Sequence, residues 1–150
     1  FANVAYHRTA RQSSTYTDSY SMKGSAERAV DGYYDGDYYN NRGCTHTKFN
    51  DYNPWWYVDL GGEYVIQAVN IINRDDCCWD RLTNFKVEVY KAHPHMSSSR
   101  AQTCSTKRGA MKMNERYLGT CSKLLRGRYV KVTQRTTPLT LCEVEVMAIS

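Results

Sequence analysis

Three segments of this chain alternate apolar and polar residues one for one. They are Phe85-Lys86-Val87-Glu88-Val89-Tyr90, Tyr129-Val130-Lys131-Val132-Thr133 and Cys142-Glu143-Val144-Glu145-Val146-Met147-Ala148. Successive side chains of a strand point to opposite faces, so a period of two describes strands buried on one side only. A fourth segment, Tyr64 to Ile72, is rich in β-branched residues and leads directly into Arg74. Asp31-Gly32, Gly61-Gly62 and Met96-Ser97-Ser98-Ser99 read as turns between strands, and only short windows suit a helix. The pattern is that of an all-β, antiparallel β-sandwich.

The 150 residues make one domain, 1–150, with enough chain for a real core and no internal repeat or long linker. Cys44, Cys77, Cys78, Cys104, Cys121 and Cys142 are even in number and lack CxxC or Cys/His zinc spacing. Disulfides and an oxidising compartment follow, hence a secreted protein or an ectodomain. No charge-free apolar stretch approaches the roughly 20 residues of a membrane span, so membrane insertion is not expected. The chain opens at Phe1 with no signal peptide and reads as a mature or excised domain. It has no Asn-x-Ser/Thr sequon.

The formal charge of +5 is concentrated between Cys104 and Arg135, where Glu115 is the single acid among many lysines and arginines. Such a stretch suits an adhesion module that binds a protein or a polyanion, although solvated strand positions give the same composition. Nothing else in the chain points to nucleic acid. Paired carboxylates occur at Asp75-Asp76 and Asp35-x-Asp37, but no apolar neighbour is identifiable to raise one pKa as a glycosidase acid requires. Cys44 and His46 would make a nucleophile and base only if Cys44 stayed reduced. His93-Pro94-His95 lacks further ligands for a metal. Catalysis is not the expectation.

The run Arg74-Asp75-Asp76-Cys77-Cys78-Trp79-Asp80-Arg81 is the most unusual in the chain. Adjacent Cα atoms are about 3.8 Å apart, closer than ordinary disulfides allow. A Cys77–Cys78 bond therefore requires a turn-like or distorted peptide, and would give a small apolar plate between two guanidinium groups. The alternative is that each cysteine pairs at a distance, and six cysteines leave that choice open. Tyrosines crowd the segments outside strands, among them Tyr16, Tyr20, Tyr38 and Tyr39. Tyrosine-rich loops present flat, amphipathic contact area at modest entropic cost.

His46, in Gly43-Cys44-Thr45-His46-Thr47, is followed by 27 residues, then Arg74-x-Asp76, then four residues, then Arg81. This resembles the signature of the F-type lectins, or fucolectins: a His, about 26 residues, R-x-D, four residues and a basic residue. The likeness runs along nearly the whole chain, through Asn3-Val4-Ala5, Ala29-Val30-Asp31-Gly32, Asn53-Pro54-Trp55-Trp56-Tyr57-Val58-Asp59-Leu60, Gly127-Arg128-Tyr129-Val130 and Leu141-Cys142-Glu143-Val144. The extra residue after His46 is placed within Lys48 to Tyr52, where it alters a loop and leaves the three ligands in place.

The resemblance implies an eight-stranded, discoidin-like jelly roll with a sugar site among loops at one end. It implies that His46, Arg74 and Arg81 hydrogen-bond L-fucose, a forked guanidinium and a neutral imidazole being suited to vicinal oxygens. Asp76 would orient an arginine as a carboxylate fork. Cys77–Cys78 would lie against the sugar ring as a vicinal disulfide. Tyr16, Tyr20, Tyr38 and Tyr39 would enclose the fucose methyl, and Trp79 would reach a second sugar or an aglycone. The other bridges would be Cys44–Cys142 and Cys104–Cys121, worth roughly 4 to 5 and roughly 3 kcal/mol in the chain-entropy account. A structural Ca²⁺ would be held by the side chains of Asp31 and Glu143 and the carbonyls of Arg28, Tyr33, Gly43 and Cys142. Gly43 stands where the family often has a serine hydroxyl. Partners would be fucosylated glycans and glycoproteins, met in innate-immune agglutination or cell and gamete recognition. One shallow pocket binds modestly, so multivalency by oligomerisation or tandem repetition is expected.

Overall fold

A computed structural model describes residues 1–40 and 42–149. Seven strands run β1 (Ala2–Asn3), β2 (Thr9–Gln12), β3 (Trp55–Ile72), β4 (Phe85–Tyr90), β5 (Gln102–Thr106), β6 (Arg116–Gln134) and β7 (Glu143–Ile149). Every pairing between them is antiparallel. Two 3-10 turns, at Ala26–Ala29 and Trp79–Arg81, are the helical content among the described residues.

Two strands are long enough to serve two layers. The first parts of β3 and the last of β6 pair with each other and carry β2 on one side and β4 and β5 on the other. Their remaining parts pair again beyond a register shift and carry β7, which carries β1. The strand order is β1-β7-β3-β6-β4-β5, with β2 on β3. Counting strands by chain thus gives fewer than counting them by layer, because β3 and β6 belong to both.

Gly61-Gly62, expected as a turn between strands, lies inside β3 instead. The register slips between Asp59 and Tyr64, and Gly61 takes φ +80°, a left-handed conformation costly for any residue with a Cβ. A bulge of this kind bends a strand without ending it. That bend carries β3 from one layer to the other.

The alternating residues fill the space between the layers. Phe85, Val87 and Val89 from β4, Val130 and Val132 from β6, and Val144, Val146 and Ala148 from β7 are all buried, with Trp56 and Val58 of β3 against them. Cys104–Cys121 joins β5 to β6 within this core. Cys44–Cys142 belongs to a smaller cluster with Met22 and Tyr38, under the loops at one end. At that end β3 runs out at Ile72, two residues before Arg74.

Candidate functional site

A charged side chain directly after a strand would ordinarily sit in water. Arg74 is instead only 1% exposed. A buried guanidinium is tolerated only when its donors are met. Its Nε donates to Asp76 Oδ1 at 2.6 Å and its Nη2 to Asp76 Oδ2 at 3.4 Å. Its planar carbon lies 4.7 Å from the ring centre of Tyr38 and 4.9 Å from that of Tyr39. Asp76 in turn accepts the backbone N–H of Cys77 at 3.0 Å and of Tyr39 at 3.2 Å. Burial pushes the Asp76 carboxyl upward, but the Arg74 and backbone donors outweigh it and hold the group below the usual carboxylate range.

Three neighbouring hydrogen bonds fix the loop. The Asn73 carboxamide donates to the Trp79 carbonyl at 2.9 Å and accepts the Arg74 N–H at 2.8 Å. The Asp75 N–H donates to the Gly36 carbonyl at 2.9 Å, tying the segment to the one that bears Tyr38 and Tyr39.

His46 comes from a segment clamped on both sides. Thr45 and Thr47 donate their N–H groups to Leu141 and Leu139, and their hydroxyls accept the N–H groups of those same leucines. On the other side the His46 N–H donates to Gly24 O, and Tyr16 N–H donates to His46 O, each at 2.9 Å. A Cβ on Gly24 would come within 2.6 Å of the His46 nitrogen, so the glycine is what lets these chains meet. The imidazole is 2% exposed. Its Nδ1 lies 2.7 Å from the Thr47 carbonyl, which can only accept, so Nδ1 carries the proton and Nε2 offers a lone pair. Burial, with Arg74 and Arg81 nearby, lowers the His46 pKa to about 4.

Rings close the gap between these groups. Tyr16 stands 4.7 Å and Tyr38 5.1 Å from the His46 ring. Phe49 makes edge contacts with His46 at 5.3 Å and Tyr16 at 5.2 Å, and the Arg81 guanidinium lies over its face at 5.3 Å. Phe49 was not anticipated from sequence. Its signal was present, however: an aromatic residue three positions after His46, in the Lys48–Tyr52 segment where the extra residue is expected. Beside it a groove of about 510 Å³ opens, lined by Thr15, Tyr16, Thr17, Lys48, Phe49 and Asn50.

Cys77 and Cys78 are bonded to each other and half-buried, and the chain turns at Cys78, which takes φ 63° and ψ 24°. Trp79 is half-buried and opens the 3-10 turn that ends at Arg81. Tyr20 is held apart from the ring cluster. The Asp18 carboxylate accepts the N–H groups of both Tyr20 and Met22, and the resulting turn leaves Tyr20 89% exposed. The observed rings are therefore Tyr16, Tyr38, Tyr39 and Phe49.

Of the residues expected to hold Ca²⁺, Gly43 and Glu143 flank Cys44–Cys142, and Asp31 lies beside Glu143. Glu143 is wholly buried; its Oε2 accepts the Gly32 N–H at 2.9 Å, while Oε1 has no partner. Burial and the adjacent Asp31 carboxyl raise its pKa to about 8. Glu143, out of water and facing the partly exposed Asp31 carboxyl, needs either a proton or a cation. No group of three or more His, Cys, Asp or Glu side chains among the described residues is placed to hold a metal ion, so backbone carbonyls would have to complete a shell. Such an all-oxygen set fits a hard cation. A Cβ at Gly43 would collide with the carbonyl oxygen of Asp35, so the two backbone segments meet here with no room for a side chain, and no hydroxyl ligand comes from this position.

Other sequence features resolve differently. His93 accepts the His95 N–H at Nδ1 and meets the Tyr57 hydroxyl at Nε2, so both ring nitrogens are engaged. The basic stretch forms no single face, because β6 passes from one layer to the other. Within it Lys107, Arg126 and Arg128 pair with Glu115, Glu63 and Asp59.

Residues 28–132 match the family model described as NedA-like, galactose-binding domain. The chain is 40% identical over 147 residues to Fucolectin-6 of Anguilla japonica, covering 97% of this chain and 75% of that protein. The serum F-lectin (fucolectin) of the striped bass, Morone saxatilis, superposes with a TM-score of 0.85 at 32% identity. That match covers 98% of this chain and 48% of the bass chain, so the sequence spans about half of it. The lectin domain of lectinolysin, solved with Lewis B antigen, gives a TM-score of 0.74 at 36% identity, covering 99% of this chain and 97% of that domain. With this agreement of sequence and fold, the chain belongs to the F-type lectin (fucolectin) family.

Proposed function

We propose that this domain is a secreted, non-enzymatic lectin that binds terminal L-fucose on glycans. The observation that carries the reading is the convergence of His46, Arg74 and Arg81: Tyr38 contacts both His46 and Arg74, and Phe49 contacts both His46 and Arg81. A guanidinium has five N–H donors, and Asp76 takes two from Arg74, leaving the others for vicinal sugar oxygens. The lone pair on His46 Nε2 accepts from a hydroxyl that can itself accept from an arginine. One edge of the sugar is thus met by polar groups. The Cys77–Cys78 plate and the rings of Tyr16, Tyr38, Tyr39 and Phe49 offer apolar surface to the ring and methyl, each buried CH₂-sized group contributing about 0.8 kcal/mol.

The groove beside Tyr16 and Phe49 has room for the sugar that bears the fucose, with Trp79 at another margin. Asp31 and Glu143 would hold a structural Ca²⁺ together with carbonyls of Arg28, Tyr33, Gly43 and Cys142. The ion would supply the positive charge that keeps both carboxylates ionised next to the His46 segment. Several copies of the domain acting together would turn modest single-site affinity into agglutination or cell recognition.

Arg81 is partly exposed and outside the core, so Arg81→Ala separates binding from folding. Calorimetric titration with L-fucose should show about tenfold or greater weakening with an unchanged melting temperature; unaltered affinity counts against the site. Between pH 6.5 and about 4 the unfolded chain holds a proton on this imidazole that the folded chain does not, so stability falls as pH drops through that window. Fucose affinity should stay flat from about pH 8 to 5 and collapse near pH 4, when His46 Nε2 loses its lone pair. A fall centred near pH 6.5 would contradict the buried neutral imidazole. Chelation with EDTA should lower the melting temperature by about 5 °C or more, with recovery on adding Ca²⁺. An identical melt with and without chelator would remove the ion from the account.

A further inference from the structure

We infer that the outer face of the layer formed by β2, β3, β6, β4 and β5 holds a second carbohydrate site, separate from His46, Arg74 and Arg81, that takes an acidic oligosaccharide. A groove of about 490 Å³ runs across this face. That is within the range of roughly 300 to 1,000 Å³ typical of ligand sites. Strand register builds it in two rows. Trp55, Thr133, Lys86 and Thr106 stand opposite one another from β3 to β5, and Lys131 stands opposite Glu88 in the next row.

Trp55 is a fixed platform. Its indole stacks on Tyr57 at 5.6 Å with an interplanar angle of 20°, and the edge of His95 meets it at 4.4 Å. Lys131 Nζ lies 5.6 Å from the indole centre. An aromatic plane held in this way offers a face to the C–H groups of a pyranose, as well as to a cation.

The charge in the groove is unbalanced. Lys86, Lys131 and Arg135 line it against one acid, Glu88, which already accepts the Tyr90 hydroxyl at 3.3 Å. None of the three cations has an ion pair among the described residues, whereas Lys107, Arg126 and Arg128 on the same strands and turns do. Lys131 is also half-buried, and the loss of hydration lowers its pKa, so an incoming anion would restore what the fold removes. Sulfate or carboxylate groups on a sugar supply that charge, while Glu88 and the Asn53 and Asn84 carboxamides on the rim suit hydroxyls. Glu88 disfavours a polyphosphate strand, and a single indole gives no ladder for stacked bases.

The test uses a heparin hexasaccharide titrated into the ¹⁵N-labelled domain. Saturable shifts are expected at the Trp55 indole and at the Lys86, Lys131 and Thr133 amides. Saturating L-fucose should leave them unchanged. Lys86→Glu with Arg135→Glu, both exposed positions, should weaken hexasaccharide binding at least about tenfold and leave L-fucose affinity within about twofold. The matched change Arg108→Glu with Lys112→Glu, outside the groove, should cost no more than about threefold. Absence of saturable shifts, equal losses in the two double variants, competition by L-fucose, or equal affinity for a single-stranded DNA octamer would each overturn the proposal. Because fucose is titrated in parallel, loss of fucose binding in the unaltered protein would refute the fucose reading without bearing on this one.

Discussion

The buried pair of Arg74 and Asp76 is the constraint around which the loop end of this domain is organised. Removing a guanidinium from water costs several kcal/mol unless a carboxylate and polarisable surface replace the hydration shell. Here Asp76 supplies the fork and Tyr38 and Tyr39 supply the faces. Satisfying Asp76 then recruits the N–H groups of Tyr39 and Cys77, so two loops and the vicinal cysteines are placed by one ion pair. The result is an arginine whose position is set before ligand arrives. Preorganisation of this kind limits the ordering entropy that weak, shallow sugar sites otherwise lose on binding.

The sandwich serves this end by holding loops, and the long strands do most of it. β3 and β6 run through both layers, and β3 delivers Ile72 and then Asn73-Arg74 at the same end where Thr45 and Thr47 are clamped to Leu141 and Leu139. Cys44–Cys142 covalently joins the two clamped segments. The His46 imidazole therefore rests on a rigid base, with one tautomer selected by the Thr47 carbonyl.

Much of this was legible in the sequence where the signal is local. The period-two alternation in Phe85–Tyr90, Tyr129–Thr133 and Cys142–Ala148 marks Phe85, Val87, Val89, Val130, Val132, Val144, Val146 and Ala148 as inward, as strand geometry requires, but it does not show that Tyr90 and Glu143 are covered on the other face. The spacing of His46, Arg74 and Arg81 was readable as a family signature. Features decided by distant contacts were not. Gly61-Gly62 has turn composition, yet the two layers on either side demand a bulge. Tyr20 and Tyr16 look alike in sequence, and only the Asp18-centred turn separates an exposed ring from one packed on His46. Phe49 joins the site through a loop held by Asp51, which accepts from the hydroxyls of Ser13 and Ser14, residues that no short motif connects to it. The burial of Glu143 with an orphaned oxygen likewise appears only once Asp31 and Gly32 are folded over it.

The most direct measurement is the affinity for L-fucose of the Asp76→Asn variant against the unaltered domain, by calorimetric titration with circular dichroism as the check on folding. An amide keeps the shape of the carboxylate but removes its charge and turns one acceptor into a donor facing the guanidinium. The account predicts a folded protein whose affinity falls by at least about tenfold, because Arg74 loses its fixed orientation. Equal affinity in the two proteins would contradict it.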